Sequence, residues 1–389
     1  MNKSGISLLL NLAHALDHMF LLIFATAVGS IAADLGLSRW EDLMPYGAAA
    51  FFFFGVGSLP AGRLGDLWGR RQMMIVFFIG IGVSSLLVSQ AQTPMQLALL
   101  LAVMGCFASI YHPVGIPMLM QFTDTPGRAL GFNGLMGNLG IAVAAVLTGW
   151  LVTFSGWRAA FWWPGCLSIA LGVLFWRMTR GDDVAPAKKT RTDTAVPHHQ
   201  QSMLFFVMTL AATTGSLLFN FSTNSNGEVL TDRLRGLIND PAAIGTLLAG
   251  VYVLASFSQL VIGHLLDRMP LKKLYLIVLG MQLLTLLAAT QTQGWLFYLA
   301  QIAFMCAIFA AIPFTDAMIV KYVDDAMRSR ISGARFAVSF GASSVAVWLI
   351  GPIVKSGGMT SFLWTMVATS ATTLTVISFL PSTEELPGV

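Results

Sequence analysis

"GRLGDLWGRRQ", Gly62–Gln72, is a polar stretch wedged between two apolar runs, "FFFFGVGSLPA" (Phe51–Ala61) and "MMIVFFIGIGVSSLLV" (Met73–Val88). Gly62 and Gly69 let the backbone turn tightly or a neighbouring helix come close. Asp66 can pair with Arg70 or Arg71, or sit at a helix N-terminus where its charge is favoured. The stretch therefore reads as a short charged loop between two membrane helices.

Working outward, the pattern recurs. "GHLLDRMPLKKLYLIVLGMQ" (Gly263–Gln282) aligns with it, so that Gly263 falls opposite Gly62, Asp267 opposite Asp66 and Lys272 opposite Arg71. Further along, Arg330 matches Arg128, Gly333 matches Gly131 and Gly351 matches Gly149. The chain is thus an internal repeat of two parallel halves, an architecture of transporters that bind substrate at the repeat interface.

Composition agrees. Of the 389 residues, 56% are hydrophobic and 10% charged. Soluble domains carry about 25% charged residues, so this is a polytopic membrane protein. Twelve apolar segments are long enough to span a bilayer: 5–33, 43–63, 72–92, 95–121, 129–153, 158–178, 203–230, 242–264, 272–292, 295–321, 330–353 and 359–380. The long polar interruption "RGDDVAPAKKTRTDTAVPHHQQ" (Arg180–Gln201) reads as a flexible linker. The expected organisation is an N-terminal six-helix bundle (1–179), a cytoplasmic linker (180–202) and a C-terminal six-helix bundle (203–389). The fold class is all-α, with twelve transmembrane helices in two pseudo-symmetric bundles.

Lysine and arginine set the orientation. With both termini in the cytoplasm, 17 of the 22 basic residues fall on that side, leaving Arg39, Arg158, Arg233, Arg235 and Lys355 on the other. The net charge of +4 is accounted for by these loops and carries no nucleic-acid signal. The first segment follows a single lysine and no small-residue cleavage site, which reads as a retained helix. Cys106, Cys166 and Cys306 lie in apolar spans without CxxC spacing, so no zinc or disulfide framework is implied. No phosphate-binding glycine loop, nucleophile elbow or HExxH occurs, so an enzyme is not expected and an ion gradient, not ATP, is the expected driving force. No cofactor is expected.

The pattern Gly-x-Leu-x-Asp-x-x-Gly-Arg-Arg, carried by Gly62, Leu64, Asp66, Gly69, Arg70 and Arg71, resembles the helix 2–3 signature of the major facilitator superfamily. That resemblance implies a cytoplasmic latch between the halves formed by Gly62, Asp66, Gly69, Arg70 and Arg71. The second copy is degraded, with Pro270 and Leu271 where the first has a glycine-arginine step. "SGWRAAFWWPG" (Ser155–Gly165) looks like the family's entry to helix 6. "GLMGNLGIAVAAVLTG" (Gly134–Gly149) is similar to the glycine-rich helix 5 of its antiporters, with Asn138 where proline is common. Gly134, Gly137 and Gly140 put a glycine at every third position, which permits close helix packing. "HALDH" and "SIYHPVG" resemble the fosmidomycin-resistance-like, drug-efflux branch through His14, Asp17, Tyr111, His112 and Pro113. The resemblance implies a monomer in a bacterial inner membrane, spanning the lipid bilayer, that exchanges protons for a small organic solute.

Ionisable groups inside a bilayer cost about 2.5–3.5 kcal/mol each on insertion scales, so those present are expected to work. At 100° per residue, Asn11, His14, Asp17 and His18 form one polar seam on helix 1. The family's cavity helices are 1, 4, 7 and 10, and the intramembrane polar groups concentrate there. Asp17 is the first candidate for proton coupling, with His14 and His18 as relays and Asp316 second. Asn11, Tyr111, His112, Asn138, Asn220, Asn224, Tyr252 and Thr315 are candidates to line the substrate cavity. Pro113 removes a backbone donor and should kink helix 4, aiming His112 inward. Pro313 should break helix 10 near Asp316. A rival reading makes His14, Asp17, His18 and His112 a transition-metal pathway, since imidazole and carboxylate suit such ions. Against it, the 20 methionines are scattered, with no intramembrane Met-x-x-x-Met pair.

Overall fold

The computed structural model describes residues 3–123, 125–180, 198–322 and 325–380; the side chains of 126–127, 198–205, 316, 320–322 and 325–337 are outside that description. Most of the expected linker, the Asp316 side chain and Arg335 therefore lie outside the described residues.

Every described regular element is helical. In chain order these are α1 (Lys3–Asp34), α2 (Ala48–Trp68), α3 (Arg70–Val88), α4 (Pro94–Met120), α5 (Pro126–Ser155) and α6 (Trp157–Met178). The second half contains α7 (His198–Arg233), α8 (Pro241–Leu266), α9 (Leu271–Gln291) and α10 (Gly294–Tyr322). Asp325–Ser378 is divided at Gly358, whose φ of 72° no helix accommodates, into α11 (325–357) and α12 (359–378). Among the described residues ten stretches are long and apolar enough to cross a membrane, one of them, Val338–Ser378, covering both α11 and α12. With the more polar α7 the twelve expected helices are all present, and the chain is a multi-pass membrane protein.

Three local expectations are corrected. Helix 2 starts five residues late, because Pro45 and its neighbours form two 3-10 turns, Trp40–Asp42 and Met44–Gly47. It then runs through most of the charged stretch: Leu64, Leu67 and Trp68 continue the helix, and the break is Gly69 alone, at φ 100°. Pro113 does not simply kink α4. A π-helical turn over Tyr111–Gly115 absorbs the missing donor and shifts the register of the side chains that follow. Pro313 leaves α10 unbroken.

Within each half, helices meet through small residues and hydroxyls, as expected where lipid tails offer no hydrophobic drive for association. Between α3 and α6, Gly82 faces Gly165, the Ser85 hydroxyl donates to the Phe161 carbonyl (2.7 Å) and the Ser168 hydroxyl to that of Phe78 (2.8 Å). Large apolar side chains such as Leu59, Leu99, Phe154 and Leu284 point outward, which suits a lipid-facing surface.

The halves join at two equivalent seams. In one, α5 crosses α8: a Cβ on Gly149 would lie 2.5 Å from the Pro241 carbonyl oxygen, and the Thr153 hydroxyl donates to Asp240 at 3.2 Å. In the other, α11 meets the start of the α2 segment: a Cβ on Gly351 would lie 2.3 Å from the Glu41 carbonyl oxygen, and Lys355 pairs with Asp42. The matching of Gly149 with Gly351 is the sequence repeat realised as contact. Both joints lie on the face opposite the chain termini, here the far face. On the termini face Leu130, Phe132, Leu260 and Val261 are exposed, and Cβ atoms on Gly131, Gly134 and Gly263 would meet nothing within 4 Å. Among the described residues the halves are sealed at the far face and splayed at the termini face.

Candidate functional site

The polar seam of α1 is real, but it faces inward into its own half. Asn11, His14 and Asp17 are buried, at 5%, 6% and 0% exposure; His18 is half-buried. The space for them comes from α5. A Cβ on Gly140 would fall 2.1 Å from the Ala15 carbonyl oxygen, so α1 and α5 touch backbone to backbone there. One turn away, a Cβ on Gly137 would lie 2.6–2.9 Å from the His14 ring. Gly134, the third glycine of the expected stripe, faces open space.

A side chain not singled out from the sequence holds this cluster together. Asn133 of α5 donates through Nδ2 to the Tyr111 hydroxyl (2.7 Å) and to Asn11 Oδ1 (3.0 Å). Its carbonyl accepts from His14 Nδ1 at 2.7 Å. A carbonyl only accepts, so Nδ1 carries the proton and, in the neutral ring, Nε2 of His14 is an acceptor. His18 Nε2 lies 3.2 Å from that atom and is then the donor. His14 also stacks on Tyr111, with centroids 4.7 Å apart. Asn133, Gly137 and Gly140 follow i, i+4, i+7 spacing, which puts them on one helix face. That spacing was the available signal.

Asp17 stands next to this network. His112 Nε2 is 3.6 Å from Asp17 Oδ2, and neither carboxyl oxygen of Asp17 has a hydrogen-bond partner among the described residues. A buried unpaired carboxylate is costly, by several kcal/mol on the scale of about 3–5 for a broken buried pair. Two arrangements avoid that cost: a protonated Asp17 beside neutral His112, or a carboxylate beside an imidazolium. Each holds one proton. Loss of that proton leaves an uncompensated charge in the core of the half-molecule, which is the property a coupling site needs.

His112 carries the cluster toward the middle of the molecule. Its ring is 5.9 Å from Phe54 and 6.3 Å from Phe340 of α11, and Phe54 and Phe340 are themselves 4.5 Å apart. The other expected residues are elsewhere. Asn220 donates to Ser216 and to Ser343 of α11 (2.8 Å), and Asn224 donates to Asn220. Tyr252 accepts from Asn226 and donates to the Thr223 carbonyl (both 3.3 Å). Asn138 is buried on α5, and half-buried Thr315 donates to the Ile312 carbonyl. Of the expected cavity residues, those described in the second half offer amide and hydroxyl groups, while those of the first half include the ionisable His112.

The ligand nitrogens of His14, His18 and His112 lie within 4.8 Å of one another. Nitrogens on a tetrahedral zinc at about 2.0–2.1 Å would sit roughly 3.3 Å apart. The contact from His18 to His14, at 3.2 Å, serves here as a hydrogen bond.

In the charged stretch, Asp66 does not take the arginine pairing that was one of its two readings. Asp66 is exposed, and no ion pair joins it to Arg70 or Arg71. Arg70 donates instead to the Pro117 carbonyl (3.2 Å), and Arg71 to the Thr179 hydroxyl (3.0 Å) and Trp176 carbonyl (3.3 Å). The arginines reach α4 and α6 because the break is one residue long and points them along their own half. Gly62 gives Pro113 room; a Cβ there would lie 3.3 Å from it.

The fold is a twelve-helix bundle in two repeats, with a buried acid and three histidines in its first half. The chain matches the Major Facilitator Superfamily over residues 10–227, more than half its length, and belongs to that family. It is 29% identical over 151 residues to a gallate transporter of Pseudomonas putida, covering 38% of this chain and 33% of that protein. It is 32% identical over 135 residues to the puromycin resistance protein of Streptomyces alboniger, covering 34% and 27%. The chain thus spans about a third of the length of the curated relatives it matches. The fold is shared at full length with the inward-open xylose transporter XylE of Escherichia coli, at TM-score 0.76, 14% identity, and 98% and 97% coverage.

Alanine at Gly137 tests the cluster's geometry. The methyl group would displace the His14 ring from Tyr111 and Asn133. Ångström-scale misplacement of a working group costs up to about a hundredfold in rate, so solute transport by Gly137→Ala in proteoliposomes should fall at least about tenfold. Binding of solute, read by thermal shift, should change far less.

Proposed function

We propose that this protein is a secondary active transporter that exports a small organic compound, of the drug or aromatic-acid kind, in exchange for protons. The observation that carries the reading is the buried carboxyl of Asp17, paired only with His112 and without a hydrogen bond among the described residues, with the hydrogen-bonded His18–His14–Asn133 run next to it. Asp17 holds the coupled proton. His112, half-open toward Phe54 and Phe340, passes it to the central chamber, and His14 and His18 set the local electrostatics. The solute contacts His112 and Phe340 on one side and the Asn220, Asn224 and Ser343 groups on the other. Thr315 remains a candidate for the same chamber and Asp316 the second candidate for proton coupling.

The two halves are 1–179 and 203–389, linked by 180–202, with both termini cytoplasmic in a bacterial inner membrane, so the described state opens inward. In it the stretch Gly62, Asp66, Gly69, Arg70 and Arg71 is a disengaged latch, its arginines parked on α4 and α6. When that face closes, Asp66 and the arginines meet the other half. The resemblance of the His14, Asp17, Tyr111, His112 and Pro113 motifs to the fosmidomycin-resistance-like branch supports the efflux reading, and the functional unit is a monomer that needs no cofactor. The names of the relatives favour organic solutes over a metal ion.

Proteoliposomes with an imposed pH difference test the proposal. Protons run from the acidic to the alkaline side, so an exchanger gathers solute on the acidic side. Accumulation there, abolished by a protonophore and indifferent to ATP, is expected. Accumulation on the alkaline side would mean symport, and indifference to the gradient would end the proton reading.

A further inference from the structure

The far face contains a second carboxyl that the site above does not use. Glu228 of α7 is half-buried, and its Oε1 lies 3.1 Å from where a Cβ on Gly29 of α1 would sit. The carboxyl thus rests on the bare backbone of the opposite half. It opens into a cavity of about 330 Å³ whose walls include Arg39, Trp40 and Glu41 of the first half and Asp232 and Arg235 of the second.

The charges around this cavity are not evenly matched. Glu41 is paired with Arg39 at 2.9 Å, Asp232 with Arg235 at 3.0 Å, and Asp42 with Lys355. Asp34, at the end of α1, is held by Arg158. Each basic group on the wall has its own acid, and Glu228 has no basic partner among the described residues. Gly358, at the break, and Met359 of α12 add no charge. Ionised, Glu228 would put an unmatched negative charge beside Glu41 at a closed joint between the halves; neutral, it adds none.

The cavity exists only because the halves meet here, and its parting would wet Glu228. Resting on the transport reading above, we propose that Glu228 is a second proton-carrying carboxyl, which takes up its proton from the far side and must be neutral for that face to seal. Asp17 then serves the centre of the molecule and Glu228 its outer door. The placement of Glu228 on α7 also gives the second half an ionisable group, although the α7 segment matching the histidine seam has none.

Accessibility across pH tests this without any known solute. In a chain with Cys106, Cys166 and Cys306 replaced by serine, Val354→Cys puts a thiol on the cavity wall, and Ser356→Cys gives an exposed reference. Labelling by an impermeant maleimide, normalised to the reference, should rise about tenfold between about pH 5.5 and about pH 8.5 as carboxyls ionise. Adding Glu228→Gln should flatten the profile at the slow, sealed rate, while Glu228→Asp, which still titrates, should keep a rise. Asp17→Asn should still show a pH-dependent rise that Glu228→Gln removes, so failure of the central site would not be mistaken for failure here. The same rise with and without Glu228→Gln would overturn the proposal, as would a flat profile in the parent.

Discussion

Replacing Asp17 by asparagine abolishes gradient-driven transport but leaves solute exchange at equilibrium. Asparagine copies the shape of the protonated acid, so the buried position stays filled without a charge. What is lost is the capacity to hold and release the proton shared with His112. Uphill accumulation in proteoliposomes should drop by about a hundredfold or more, about 2.7 kcal/mol or more in driving terms. Counterflow of labelled solute between equal pools should stay within a few-fold. A His112→Gln variant should show the same split, more weakly, since Asp17 can still carry its proton alone. Loss of both activities together would assign Asp17 a structural role.

Alanine at Gly140 is the largest expected stability change from a single added methyl group. The Cβ would lie 2.1 Å from the Ala15 carbonyl oxygen, where the obstacle is backbone and cannot rotate away. Overpacking of this kind costs about 1–3 kcal/mol, and here it also pushes α1, with Asp17 and His14, off α5. Gly134→Ala is the control on the same helix. Nothing lies within 4 Å of its Cβ, and alanine there should gain up to about 1 kcal/mol in helix preference. Thermal unfolding in one detergent should order the three proteins Gly134→Ala at or above the parent and Gly140→Ala several degrees below. Equal midpoints would mean that α1 and α5 do not touch as described.

The twelve helices were readable because hydropathy is a long-window signal: an error of a few residues at a boundary leaves the count intact. The places where reading and structure part are set by single residues acting on a neighbour. Pro313 passes through α10, because neighbouring helices can satisfy the carbonyl that proline frees. Pro113 produces a π turn, and no pattern in "SIYHPVG" distinguishes that from a kink. Asp66 could have paired with Arg70 or Arg71 or sat at a helix N-terminus; the one-residue break at Gly69 turns both arginines toward α4 and α6. The helix 1 seam was legible as a face at 100° per residue, but not which neighbour it meets. Asn133 supplies that answer: it sits on α5, 122 positions from Asn11, to which it bonds. Only its spacing from Gly137 and Gly140 hints at a shared face. The joints at Gly149 and Gly351 show the opposite case, where aligning the repeats picked out residues that turn out to make equivalent contacts.

The central claim is that one proton, held by Asp17 and His112, is exchanged for solute. The direct measurement is proton release on solute binding, followed with a pH dye in weakly buffered purified protein. The parent chain is predicted to release close to one proton per bound solute near neutral pH, and Asp17→Asn to bind the same solute and release none. Equal release from both proteins would contradict the account.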